Sequence, residues 1–340
     1  MQLADSSFGG LAGLEHQNSH VDVITPFAVG DPILASFYAH EIFHAWNVKR
    51  LRPIDLWPYD YAREQPTPWL WMSEGITDYY ADLAVSRSGL VDSVNFFELI
   101  AGKINHVSNL QPVALHDASL NTWIHPVDGT DDIYYDKGSL AGLMLDIIIR
   151  DASDNKHSLD DVMRQLYEQA YLKGAGFTPQ QWWGAVSAAG GKSFTDFNAK
   201  YIEGRDPYPW STILPLAGLR LTADTVRTPM LGVQLETDST GAVGIVSVQA
   251  GSAAAEAGIV AGDHLVAIGD IQSTEPGYLA KVRDRYRTAG EQIVVKVRRG
   301  TKVLELTTHV QLQERITTRV LADPAATPKA AAIRHGLMHS

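Results

Sequence analysis

The sequence predicts an α+β protein in which a mainly helical half is followed by a smaller β-rich module. Three observations carry that expectation. Apolar residues recur at helical spacing, punctuated by caps and stops, from about residue 31 to residue 203. The run Asp206-Pro207-Tyr208-Pro209-Trp210 then breaks the pattern. From about Arg227 the chain turns to short apolar segments separated by glycines. The expected divisions are a first domain over 1–212, a linker over 213–226, a β-rich domain over 227–312 and a tail or short helix over 313–340.

The first helix is the most informative element. Asp31 suits its N-cap and Pro32 its first position, and Ile33, Leu34, Phe37, Ile42 and Phe43 carry the apolar spacing through His44. Within it lies His40-Glu41-Ile42-Phe43-His44. Positions four apart on a helix are separated by about 40° around the axis and about 6 Å along it, so both imidazoles lean toward one point and Glu41 lies beside it. Such spacing is that of a ligand pair and general base at a zinc hydrolase site.

A second helix is expected from Trp71, with Ser73 as N-cap, apolar and aromatic spacing through Leu83 and Val85, and Gly89 as the stop. Glu74 falls in its first turn, where the positive end of the helix favours the ionised carboxylate a metal ligand requires. Asp78 faces the same way and can accept from the far ring nitrogen of His40 or His44, fixing the tautomer. His40, His44 and Glu74 then form three ligands with an open fourth position, and one zinc ion per chain is the expected cofactor.

Four pieces together resemble a known family. They are Gly13-Leu14-Glu15-His16, the run His40 to Pro53 with Trp46-Asn47-Val48-Lys49-Arg50, the Glu74-Gly75 helix start, and Tyr135-Asp136-Lys137-Gly138. In order and spacing they resemble the glycyl aminopeptidase family of glutamate-ligated zinc metallopeptidases, over nearly the whole chain. The resemblance implies a thermolysin-like, mainly helical catalytic domain. It further implies that Glu41 takes a proton from the attacking water and passes it to the leaving amine, and that the Tyr135 hydroxyl steadies the oxyanion. Motif position, not local sequence, selects Tyr135 over Tyr134. Glu15 would pair with the substrate's free ammonium so that only the first peptide bond is reached, and Gly13 would let the substrate backbone approach closely. Peptides with a free N-terminal glycine or alanine are the implied substrates. Relatives carry a β-rich domain ahead of this point, so an upstream portion is expected to be missing. Two rival readings stay open: an endopeptidase of the same fold in which Glu15 plays no part, and a peptide-binding adaptor that has lost its enzyme.

Around the site, Lys49, Arg50 and Arg52 are expected to stabilise a helix C-terminus. Trp46, Trp57, Trp69 and Trp71 are read as cleft walls, and His16 and His20 as solvated or structural. Ser158 with Asp161, and Thr178 with Gln181, mark two helix starts by capping boxes, and Ser193 to Glu203 is a third helix. In the second module, Leu231-Gly232-Val233, the Gly251-to-Gly258 segment and Gly262-Asp263 before an apolar strand resemble a bacterial PDZ domain. That resemblance implies that the Leu231-Gly232-Val233 turn offers N–H groups to a peptide's terminal carboxylate.

Composition sets bounds that agree. A chain of 340 residues with 45% apolar content has material for two cores. A formal net charge of -11 and a pI near 5.5 argue against nucleic acid or an anionic membrane surface as main partner. The absence of cysteine excludes a disulfide framework and thiolate metal ligands, and leaves cytoplasm and periplasm both open. No run approaches about eighteen consecutive apolar residues, and Met1 to Gly10 lacks the pattern of a signal peptide, so the chain as given is expected to be soluble with no membrane span.

Overall fold

The computed structural model describes residues 2–3, 10–25, 33–238, 241–275 and 277–339, so the expected cap Asp31 and Pro32 lie outside the described residues. It divides into two compact units, Met1–Thr222 with Thr318–Ser340, and Ala223–Thr317.

The first unit opens with β1 (Gln2–Leu3), β2 (Leu11–Glu15) and β3 (His20–Ile24), a sheet in the order β1-β3-β2 that leaves β2 at one edge. Helices follow. These are α1 (Ile33–Phe43), α2 (Thr77–Arg87), α3 (Ser93–Ser108), α4 (Leu115–Asn121), α5 (Tyr134–Ala152), α6 (Leu159–Gln169), α7 (Pro179–Gly190), α8 (Thr195–Phe197) and α9 (Trp210–Ile213). α5 is the central element, with almost every side chain from Lys137 to Ile147 buried. Around it pack Met72, Ile76, Leu83, Phe96 and Ile100, and a cluster of Trp69, Trp71, Phe177 and Trp182. The capping boxes at Ser158 and Thr178 are both formed, and Gly89, at φ +75°, follows the end of α2.

The second unit carries β5 (Val233–Thr237), β6 (Val243–Val248), α10 (Ala253–Ala257), β7 (His264–Ile268), β8 (Ile271–Gln272), α11 (Tyr278–Arg285), β9 (Gln292–Arg299) and β10 (Lys302–His309). Its sheet runs β10-β9-β7-β6-β5, with β8 beside β7, over a core of Val243, Ile245, Leu265, Val295 and Val297. The chain passes between units along a two-stranded ribbon of β4 (Leu219–Met230) and β11 (Gln311–Ala322), and ends in α12 (Pro328–Met338).

Two stretches are more ordered than the sequence suggested. Residues 213–226, read as a linker, hold the end of α9, a 3-10 turn and much of β4, because Leu214, Ala217 and Leu219 are buried in the first core. Residues 313–340, read as a tail or short helix, return through β11 and α12 to that same core, where Ile333 and Leu337 are fully buried. No helix among the described residues is long and apolar enough to cross a membrane.

Candidate metal centre and its cleft

α1 presents His40 and Glu41 toward the interior, and His44 follows in the turn just past its last residue. The Nε2 atoms of the two imidazoles stand 3.0 Å apart, and each lies 3.2 Å from one oxygen of Glu74. Among the described residues, these three form the group whose donor atoms converge in this way. Donors held at about 2.0–2.1 Å by one tetrahedral ion stand about 3.3 Å apart, so the triangle fits a zinc-sized cation. Charge fits as well. Glu41, Glu74, Asp78 and Asp82 set four carboxyl groups against the ammonium of Lys103, a concentration of acidic groups that a divalent cation would offset.

Each imidazole is oriented from behind. The Nδ1 of His44 donates to the carbonyl of Asn47 at 2.7 Å, which leaves Nε2 free as a lone-pair donor. The Nδ1 of His40 faces Asp78 Oδ1 at 3.5 Å, an ion-pair distance rather than a hydrogen bond. Asp78 thus serves His40 alone. Burial works against a charged His40, yet Asp78 and Glu74 outweigh it and lift its pKa to about 10. Glu74 shows the converse: burial opposes its charge, but His44 and His40 hold its carboxyl well below the usual range. A cation and protons therefore compete for the same atoms.

The helix that brings Glu74 differs from expectation. Ser73 is not an N-cap. The chain is already helical at Leu70, and Trp71–Ile76 winds as a π-helical turn that runs straight into α2, with Ser73 buried inside it. The cause is a close crossing with α5. A Cβ built on Gly75 would lie 2.5 Å from Gly138 Cα and from the Tyr134 carbonyl oxygen. Gly138 thereby brings Tyr135 beside the histidine pair, its ring 5.9 Å from that of His40. Burial pushes the Tyr135 phenol well up, so it stays a protonated donor.

A cavity of about 950 Å³ opens here, walled by Gly13, His40, Glu41, Asp78, Lys103 and Tyr135 among others. Tyr134 is not on its wall. Glu41 is buried and its Oε2 has no hydrogen-bond partner in the protein. Burial raises its pKa, and His40 and His44 only partly offset that. Gly13 of β2 makes room for it, since a Cβ there would come 1.9 Å from Glu41 Oε1. The close approach that this glycine permits is that of Glu41.

Three expectations read differently in the structure. Glu15 is paired with Lys49 Nζ at 3.1 Å and is not on the cavity wall. Arg52 does cap a helical end, donating to the Val48 and Lys49 carbonyls, but Arg50 reaches Gln17 and Asn18, so this basic run also ties the β2–β3 hairpin to the metal helix. The tryptophans are not cleft walls. Trp69 and Trp71 are core, and Trp46 edges a separate apolar hollow with Phe43, Leu51 and Met163. Sequence reasoning also missed Asn47 and Lys103. Asn47 lies in the run that carries the resemblance, but nothing in its local sequence marks its role. Lys103 interrupts the apolar face of Phe96, Ile100 and Ile104, and a lysine on a buried stripe is a visible anomaly.

A His-Glu-x-x-His helix whose third ligand is a glutamate on the next helix defines the class of glutamate-ligated metallopeptidase folds. The family model described as M61 glycyl aminopeptidase matches residues 34–141, and that of the PDZ domain matches residues 229–310. The chain carries an M61 glycyl aminopeptidase region followed by a PDZ domain. Among solved structures, it is similar to an aminopeptidase N family protein from Idiomarina loihiensis, with 21% identity, 99% of this chain and 61% of that chain covered, and a TM-score of 0.68. That likeness is one of fold, and this chain spans only 61% of that protein's length. Partial matches to the HtrA-type protease AlgW with decapeptide (22% identity, 26% of this chain and 30% of that chain, TM-score 0.24) and to a PDZ domain protein from Parabacteroides distasonis (13%, 30% and 35%, TM-score 0.23) are too slight to bear on the argument. No curated protein matches the chain at a significant level.

Proposed function

We propose that the first unit is a zinc-dependent aminopeptidase that hydrolyses the N-terminal peptide bond of substrates beginning with glycine or alanine. One observation carries the reading: His40, His44 and Glu74 converge to 3.0–3.2 Å beside the buried Glu41, whose Oε2 has no hydrogen-bond partner in the protein. Zinc held by those three side chains supplies Lewis acidity toward a carbonyl and lowers the pKa of water. Glu41 accepts the proton that water loses on attacking the carbonyl carbon, and delivers it to the amide nitrogen as the C–N bond breaks. Burial raises its pKa, which makes it a stronger proton acceptor than an exposed carboxylate. Tyr135 donates to the oxygen that gains charge, a contribution of about 3 kcal/mol in the transition state. Asn47 and Asp78 keep the imidazoles aimed. The family description supports N-terminal glycine, and alanine is proposed beside it as the next smallest side chain.

Glu41→Gln in the full chain tests this. About one zinc per chain should remain bound, while hydrolysis of glycyl and alanyl chromogenic amides should fall by several orders of magnitude. A variant as active as the wild type would remove Glu41 from the role of base.

One observation favours a second reading, a same-fold endopeptidase: Glu15 is engaged by Lys49. For Glu15 to receive a substrate's ammonium, that ammonium must replace Lys49 Nζ. Free and acetylated versions of one peptide separate the two, since an aminopeptidase cleaves only the free form. In the second unit, Leu231-Gly232-Val233 is proposed to receive a peptide's C-terminal carboxylate. The sheet order, with β5 at the end, and Gly232 at φ +78°, packed against Ser252, support that assignment.

A further inference from the structure

We propose that Lys103 is a positioning residue for metal binding, which holds Asp78 turned toward His40 and thereby sets the affinity of the site for zinc. The inference rests on reading His40, His44 and Glu74 as the metal ligands. Lys103 projects from the buried face of α3 between Ile100 and Ile104. All three of its ammonium donors are used: one goes to Asp78 Oδ2, one to Asp82 Oδ2 at 2.7 Å and one to Ser139 Oγ at 2.8 Å. The second oxygen of Asp78 is the one that faces His40, and the second oxygen of Asp82 accepts from Ser36 of α1. A single ammonium thus joins α2, α3 and α5 directly, and α1 through Asp82, immediately behind the metal ligands.

Stability alone does not account for a charge in this place. An apolar side chain would continue the stripe of α3 without the cost of stripping water from an ammonium, and buried ion pairs rarely stabilise more than such a replacement. What the ammonium does do is fix the direction of Asp78: with Oδ2 held by Lys103, Oδ1 stays on the His40 side. An Asp78 released from Lys103 is free to turn away, and the imidazole then loses the carboxylate that faces its Nδ1.

A double-mutant cycle of Lys103→Met and Asp78→Asn tests this, with zinc affinity of the full chain measured by competition against a chromogenic chelator and melting of the metal-free form followed alongside. Lys103→Met should weaken zinc binding roughly 10- to 100-fold, the range known for such outer partners. In the Asp78→Asn background the same change should alter affinity less than about twofold. Lys103→Arg should restore most of the affinity, because a guanidinium can still bridge two carboxylates. Asp82→Asn supplies a background in which removing Lys103 leaves one buried carboxylate in place of two, so the comparison survives a folding failure of the single variant, and the same weakening is expected there. Unchanged zinc affinity on removing Lys103, or an equal loss with and without Asp78, overturns the proposal. A wild-type chain that takes up no zinc overturns the metal-site reading itself.

Discussion

The setting of Glu41 is made by the absence of a side chain at Gly13 and the absence of a partner for its own Oε2. Asn47 shows the same economy. Its carbonyl sets the tautomer of His44, while its amide donates to the Met72 carbonyl at 2.9 Å and to Thr77 Oγ1 at 3.0 Å, locking the end of the metal helix to the turn that carries Glu74. Lys137 is a different case, a buried ammonium whose hydrogen bond goes to a neutral partner, the Val113 carbonyl. Burial, helped by Arg205, lowers its pKa from 10.5 to about 8. The folded chain therefore holds that proton less well than the unfolded chain. Below about pH 8 both states are protonated and the penalty is full; between about pH 8 and 10.5 the unfolded state binds more protons, so stability rises with pH. Lys137→Met should lose that rise, which amounts to about 3 kcal/mol across the whole window. Denaturant unfolding of both proteins at intervals from pH 7 to pH 9.5 checks it, and parallel stability curves would refute it. A buried tyrosine such as Tyr79 acts in the opposite sense only above the ordinary phenol pKa of about 10, beyond the range of that measurement.

Among elements, the crossing of the π-helical turn over α5 decides whether the centre assembles. Gly75 follows the ligand Glu74 and meets backbone at 2.5 Å, which cannot yield as a side-chain tip can. Gly75→Ala should therefore separate the two elements, costing about 1–3 kcal/mol from overpacking and moving Glu74 away from the imidazoles, so zinc retention should fall with stability. Gly138→Ala, whose Cβ would meet the Trp71 carbonyl oxygen at 2.5 Å, should behave alike. Gly184→Ala is the control. Nothing lies within 4 Å of its added Cβ inside α7, so it should gain about 0.5–1 kcal/mol. Equal melting temperatures for all three would refute the argument. This crossing also marks the limit of what the sequence discloses. Local signals suffice for the histidine register, the two capping boxes and the Gly89 stop, because each rests on residues within a turn of one another. The π-helical turn, the pairing of Glu15 with Lys49 and the core placement of Trp69 and Trp71 depend on partners many residues away. Ser73 looked like a cap because its local sequence says so; the contact with α5 overrides it.

At the scale of the molecule, the first unit is discontinuous: the chain leaves it at Thr222 and returns at Thr318. The returning piece is structural. Ile333 and Leu337 of α12 are fully buried and Met338 nearly so, the Leu337 carbonyl accepts from Arg87 at the end of α2, and the Ala332 carbonyl accepts from Asn155 beyond α5. α2 is the helix of Asp78 and α5 that of Tyr135, so the last helix braces the far ends of two elements that meet at the metal site. Burying three large apolar side chains contributes roughly 1.5–3 kcal/mol each, a sum comparable with the about 5–15 kcal/mol that holds an ordinary domain. A chain ending at Thr317 should therefore lose the cooperative melting of the first unit and its zinc, although every proposed ligand is still present. The second unit, with its own core around Val295 and Val297, should keep its protection from proteolysis. Leu337→Ala gives the graded version, a loss of about 2–5 kcal/mol with zinc still bound below the melting transition. If the shortened chain melted like the full one and held zinc as tightly, α12 would be an appendage and the core of the first unit would not need it.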